Sequence, residues 1–399
     1  MLAIKHFRTN LAPLLIAAGG FVLLLKAGRF IWEWTLLSLP LLAVGLRYWQ
    51  GPIYRFFPLS ALAGIFALLI VTYWPNVRNG IQHHPLNIES LPYGTTEFIK
   101  AQGLKGRYAI APSYAGYIEF SLPDVKIHHD MQFPPFTGLD FQELLVAMLS
   151  YQGLKTYVEN YSPGMLGIDK KNKYFPIKTA HQLGYVPVFF DKKIVLFVDK
   201  KKFEDSAKQF ELKAINPFDE SKVQRSKANE AINELKQMLT AVNADYIKRT
   251  LVGYLIDQAR LEEAKIYLAE LKRSSPSDLT TLYYQARFEH LSGDCRAAIP
   301  NYLQTVRFGD YNPLTHRQLA ECYFLTGQLP KAYTHYSLGL NPYLDNSPEP
   351  LLYLQYALSA VGAGENEFAR RLLTMIDRFE PKSDIQPQIK ALLIDLEGD

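Results

Sequence analysis

Few side chains in this sequence are well placed for chemistry, and the best candidate cluster is His128, His129 and Asp130. Imidazole and carboxylate groups serve as transition-metal ligands and as general bases. The run beginning at Val125 reads as a strand, where neighbouring side chains point to opposite faces, so only His128 and Asp130 share a side. No third ligand follows from the spacing, and a polar strand end is the simpler reading. His83 and His84 precede Pro85 in a linker and read as solvated. The remaining reactive groups are two cysteines, Cys295 and Cys322. A disulfide between them would require Cα atoms within about 7 Å and an oxidising compartment. Buried cysteine is also ordinary packing material in helices. Glycine-rich phosphate loops, zinc-type cysteine pairs and a G-x-S-x-G elbow are absent from the sequence, so no catalytic residue, metal or cofactor is expected.

The elements that would carry the cysteines are set by a repeat. Ala264, Ala298 and Ala332 stand thirty-four residues apart, each about five residues beyond the turn of a helical hairpin. In one unit Ala286 takes the small position of the first helix, Gly293 and Asp294 make the turn, and Ala298 and Tyr302 follow on the second helix. The next unit repeats this with Leu319, Ala320, Tyr323, Gly327, Ala332 and Tyr336. An earlier unit keeps Gly253, Ala264, Leu268 and Pro276. A fourth, with Ala357, Gly364, Ala369 and Leu373, falls three residues out of period after the proline-rich loop 341–350. A shared period with small residues at the crossings and glycine at the turns is the pattern of a tetratricopeptide (TPR) array. In it, Cys295 opens one second helix and Cys322 lies late in the next first helix, which makes them the candidate disulfide pair. Such arrays present a concave surface that binds proteins or peptides. Repeat geometry assigns Tyr283, Arg287, His316, Arg317 and Tyr353 to that surface.

The amino-terminal end has a different composition. Residues 11–25, 30–46 and 56–74 are three apolar runs, and about twenty residues suffice to cross a bilayer core of about 30 Å. Trp32, Trp34, Tyr48, Trp49, Tyr54, Tyr73 and Trp74 cluster at the run ends, as an aromatic belt would. Two or three transmembrane helices are therefore expected. If all three cross, Arg47 and Arg55 join the amino terminus and the rest of the chain lies outside the cytoplasm. If the short first run does not cross, the arrangement inverts.

Charge divides in the same place. Before Pro75 the sequence holds six basic residues and one acid, and beyond it 37 basic and 38 acidic. A nucleic-acid interface needs a basic face on the folded part, and a near-neutral balance there excludes nucleic acid as the expected partner.

Between these regions, short apolar runs at 107–111, 125–128, 165–169, 186–190 and 194–199 alternate with helix-like stretches at 140–151 and 178–183. That pattern predicts a compact α/β domain. Ala228, Ile232, Leu235 and Leu239 recur at helical spacing and predict an amphipathic linker helix. The expected fold class is thus a membrane-anchored multidomain protein. Its parts are a transmembrane region over 1–78, an α/β domain over 79–218, a linker helix over 219–243 and an all-α TPR solenoid over 244–399.

The order Gly116-Tyr117-Ile118, Leu122-Pro123-Asp124-Val125-Lys126, Asp130, a helical stretch, 164–169 and the closing run 186–198 resembles the extracytoplasmic tail of bacterial multi-spanning glycosyltransferases of the GT-C type. That resemblance implies a multi-pass placement in a bacterial inner membrane with extracytoplasmic domains, and a polytopic glycosyltransferase subunit as a further partner. The family's catalytic carboxylate and sugar-donor site have no counterpart here, and Asp130 is followed by Met131 and Gln132 in place of glycine and arginine. No catalytic residue carries over. Binding is the expected activity: a membrane-anchored TPR scaffold of the cell envelope, with an accessory glycosyltransferase component as the alternative.

Overall fold

The computed structural model describes residues 15–19, 37, 90–127, 138–220, 225–308, 312–341, 349–379 and 384–398. Residues 1–86 form one unit and 87–399 another. In the first, 15–19 and Leu37 are helical. His83, His84, His128, His129 and Asp130 lie outside the described residues, as do most of the three apolar runs.

Among the described residues no helix is long and apolar enough to cross a membrane. This overturns the membrane-anchored class and the multi-pass inner-membrane placement, and it leaves the bilayer without support as a partner. Among the described residues the longest helices run 14 residues, about 21 Å at 1.5 Å per residue and short of a bilayer core.

The second unit begins with α1 (Tyr93–Ala101), β1 (Gly106–Ile110), α2 (Pro112–Ser121) and β2 (Val125–Ile127). There follow α3 (Gly138–Leu149), α4 (Tyr151–Tyr161), β3 (Met165–Asp169), α5 (Ile177–Gln182), β4 (Tyr185–Phe190), β5 (Ile194–Asp199) and α6 (Glu204–Phe210). The strands form one sheet in the order β2-β1-β3-β5-β4. β1 runs parallel to β2 and β3, with Tyr108 opposite Met165. β5 is antiparallel to β3 and β4, with Leu166 opposite Phe197. Helices cover β4 and nearly all of β5, which is why these strands read as continuous apolar runs without alternation. Asp191 fixes the turn between them: its carboxylate accepts from the backbone N–H groups of Lys193 and Ile194, and from the N–H and hydroxyl of Thr95 on α1.

α7 (Ala228–Ala241) buries Ala228, Ala231, Ile232, Leu235 and Met238. The Glu234 carboxylate of the same helix accepts from the backbone N–H groups of Lys213, Ala214 and Ile215, which satisfies the chain leaving the α/β domain.

Four helical hairpins follow: α8 (Asp245–Asp257) with α9 (Leu261–Ser274), α10 (Leu279–Leu291) with α11 (Cys295–Arg307), α12 (Pro313–Leu325) with α13 (Leu329–Gly339), and α14 (Pro350–Gly362) with α15 (Asn366–Phe379). α16 (Gln386–Gly398) closes the stack against α15. Ala264, Ala298, Ala332 and Ala369 are all fully buried at the crossings, as are Ala286, Ala320 and Ala357 opposite. Only a methyl group there lets two helix backbones approach closely. The turns of the last three hairpins place Gly293, Gly327 and Gly364 at φ 86°, 76° and 82°, the left-handed region that glycine enters at little cost. One buried apolar cluster runs from Phe98 of the α/β domain through α7 to Leu271 on α9, and a second from Ala286 to Ile389. The first hairpin thus shares its core with the α/β domain.

Candidate functional site

Each first helix in the array packs directly against the next first helix, α8 on α10, α10 on α12 and α12 on α14. The second helices make no comparable contact among the described residues. A stack whose one layer is more closely spaced curves toward that layer, so the first helices line the concave side.

On this surface the side chains fall in helical register. Tyr283 and Arg287 on α10 are four residues apart, and Arg317 on α12 stands thirty-four residues beyond Tyr283. Arg287 lies over the Tyr283 ring, 5.9 Å from its centroid, and its Nη2 donates to Asp257 Oδ1 on α8 at 2.9 Å. Its Nε is buried with no hydrogen-bond partner among the described residues. Arg317 Nη2 donates to Glu349 Oε2, at the start of α14, at 2.8 Å. His290 Nε2 on α10 lies 3.8 Å from Glu321 Oε2 on α12. Each junction between successive first helices therefore carries a basic side chain facing a carboxylate.

His316 and Tyr353 are placed elsewhere, which corrects their assignment to the concave surface. His316 is 8% exposed and Tyr353 fully buried. Both are the fourth residue of their first helix, four before the crossing alanines Ala320 and Ala357. An i, i+4 pair shares one helix face, so a residue in register with the crossing alanine faces the second helix. Surface residues sit one position later. The His316 ring stacks on His335 of α13 with centroids 5.2 Å apart and the two Nδ1 atoms at 3.0 Å. Burial, with His316 second, pushes His335 down to about 4.

Four exposed leucines border the same surface: Leu291 and Leu325 end α10 and α12, and Leu314 and Leu351 are the second residues of α12 and α14. The sequence carried a signal for them, since Leu291 and Leu325 keep the thirty-four-residue offset and Leu314 and Leu351 keep the shifted one.

The cysteines meet at the junction between the second and third hairpins. The Gly293 turn folds α11 back on α10, so that Cys295, first residue of α11, comes beside His290 in the last turn of α10. Cys322 reaches them from α12. The sulfurs of Cys295 and Cys322 and a ring nitrogen of His290 all lie within 4.8 Å of one another. Both cysteines are buried free thiols, hydrogen-bonded to each other and not in a disulfide. Burial pushes both thiols up and the His290 imidazole down, so all three groups are held neutral. The Tyr302 ring meets His290 edge-on at 6.3 Å. Its hydroxyl is buried without a hydrogen-bond partner among the described residues.

No family model matches this chain, and no curated protein matches it, so nothing supports the glycosyltransferase resemblance. Among solved structures, the chain is similar to pilF of Pseudomonas aeruginosa at 16% identity, covering 41% of this chain and 77% of that one with a TM-score of 0.36. It is similar to YrrB, a TPR protein with an unusual peptide-binding site, at 13% identity, over 42% of this chain and 84% of the other, with a TM-score of 0.34. It is also similar to MamA of Desulfovibrio magneticus RS-1 at 16% identity, over 40% and 89%, with a TM-score of 0.33. The repeat assignment rests on the chain's own geometry: helical hairpins that step by thirty-four residues, and by thirty-seven into the fourth, with alanine at each crossing and a left-handed turn in each hairpin, form an array of the tetratricopeptide type.

Proposed function

We propose that this protein is an interaction scaffold whose repeat array holds a peptide segment of a protein partner against the first helices α10, α12 and α14. The observation that carries this reading is the exposure of Leu291, Leu314, Leu325 and Leu351 along one lined surface, where four large apolar side chains remain in water. Isolated exposed leucines need no explanation, but leucines repeated at matching positions of successive hairpins on the inner side form an interaction surface. Tyr283, Arg287 and Arg317 stand among them, and tyrosine and arginine are the side chains that most often anchor interfaces. The guanidinium groups already face Asp257 and Glu349 in partly exposed pairs, which are worth little in water and exchange readily for a ligand carboxylate. A segment combining apolar side chains with an acidic residue fits this chemistry. The accessory glycosyltransferase reading has no observation in its favour.

Peptide display against the purified full-length chain tests the proposal. The expected selection is enriched for sequences with aspartate or glutamate near leucine, isoleucine or phenylalanine. Binding of those peptides is expected to fall at least tenfold in Leu325→Asp and Arg317→Glu variants that keep the parent helical content. Equal binding by both variants would overturn the assignment of this surface.

A further inference from the structure

We propose that His290, Cys295 and Cys322 form a binding site for one thiophilic transition-metal ion of the Zn(II) class, with the Glu321 carboxylate as the fourth donor. The two sulfurs and a ring nitrogen of His290 come from three helices of two successive hairpins and already lie within 4.8 Å of one another, and the Glu321 carboxylate stands outside that group on the His290 side. Tetrahedral zinc, with bonds of about 2.3 Å to sulfur and about 2.0 Å to nitrogen, holds its ligand atoms roughly 3.5 to 4 Å apart. For these three atoms the remaining gap is at most about 1.3 Å, within the reach of side-chain rotation. Two thiolates, one imidazole and one carboxylate are a donor set that suits zinc and disfavours magnesium or calcium.

The neighbourhood fits an ion better than it fits plain packing. Glu321 Oε2 lies 3.8 Å from His290 Nε2 and is partly exposed, which leaves an entry path from the concave side. The Tyr302 hydroxyl, fully buried beside Cys322, has no hydrogen-bond partner among the described residues. A thiol is a weak acceptor, whereas a metal-bound thiolate accepts hydrogen bonds well, and such outer partners tune metal sites. Binding would release the thiol protons and fasten α10 and α11 to α12. An ion here would stiffen the junction between the second and third hairpins, whatever the array binds.

The test uses the full-length protein, reduced and stripped of metal with a chelator. Co(II) is expected to give a thiolate charge-transfer band that saturates at one ion per chain and is displaced by Zn(II). Zn(II) is expected to raise the melting temperature and to protect both thiols from alkylation. Cys295→Ser and Cys322→Ser should each abolish the band, and His290→Ala should weaken binding at least tenfold. Circular dichroism identifies variants that fold, and alkylation of the unmutated protein reads the site without any substitution. The proposal is overturned if the folded, reduced protein gives no band and Zn(II) leaves both thiols equally reactive. It is also overturned if the band survives in the double serine variant, or if the thiols are isolated as a disulfide whose reduction restores no metal binding.

Discussion

Lys170 and Glu220 lie 2.8 Å apart, Nζ to Oε1, where the α/β domain meets the first helical hairpin. Lys170 follows β3, Glu220 begins the connection to α7, and the Tyr246 hydroxyl on α8 completes the group 2.5 Å from the ammonium. The ammonium also faces the Phe190 and Tyr246 rings at 4.5 and 4.3 Å. Burial lowers the Lys170 pKa and Glu220 opposes that shift. A charge so enclosed is tolerated only because its counterion is beside it.

Lys170→Met should therefore destabilise the protein by about 2 to 4 kcal/mol, since it leaves a carboxylate in a partly enclosed site without its cation. Lys170→Met with Glu220→Gln should recover part of that loss. Denaturant unfolding of the four members of this double-mutant cycle measures the coupling, and additive single effects would show that the pair does not join the two parts.

Ala259 occupies in the first hairpin the turn position that Gly293, Gly327 and Gly364 occupy in the others, and it holds φ 55°. A side chain in the left-handed region costs about 1 kcal/mol relative to glycine. Ala259→Gly should accordingly stabilise the chain by roughly 0.5 to 1 kcal/mol, and Gly327→Ala should destabilise it by a similar amount. Paired melting curves check the sign of each change.

The helix crossings leave no spare volume. Ala298→Leu and Ala332→Leu should each overpack the contact and cost about 1 to 3 kcal/mol. Gly339→Ala should act at the same hairpin, because its Cβ would stand 2.6 Å from Arg317 N and 2.8 Å from Pro313 O. Those are backbone atoms that cannot rotate away, so α13 must shift from α12. Unchanged unfolding midpoints in all three variants would contradict the packing described here.

Acid should weaken the third hairpin. The folded protein holds the His335 pKa near 4, below the usual imidazole value of 6.5, through burial and the neighbouring His316. The contribution is complete above about pH 6.5 and is lost as pH falls toward 4, because the unfolded chain takes up the proton first. Two imidazoles with Nδ1 atoms 3.0 Å apart cannot both carry a proton there. The loss should be on the order of 1 to 2 kcal/mol after discounting for partial solvent exposure. His335→Phe, which keeps a ring against Tyr323, should flatten the stability profile between pH 6.5 and 4; an unaltered profile would assign the acid sensitivity to other groups.

Parts of the concave surface were legible in the sequence and parts were not. The thirty-four-residue offset pointed to the first helices, and Tyr283, Arg287 and Arg317 lie where adjacent first helices meet. His316 and Tyr353 were displaced by one residue of helical phase, about 100° of rotation, which is enough to turn a side chain from the surface into the hairpin core. Proximity of Cys295 and Cys322 followed from their places in successive units, one opening a second helix and the other late in the next first helix. The spacing carries no sign of His290, because its approach depends on how sharply the Gly293 turn returns the chain.

The sequence by itself determined the local elements and the repeat. Alternating and continuous apolar runs mark the strands, and small residues at a fixed period mark helix crossings, because both are consequences of short-range geometry written into neighbouring residues. Tertiary structure alone decided the sheet order β2-β1-β3-β5-β4, the shared core that binds the first hairpin to the α/β domain, and the meeting of His290 with two cysteines. Those depend on which faces bury each other across long sequence separations. A period fixes where a helix turns but leaves open which of its faces finds a partner.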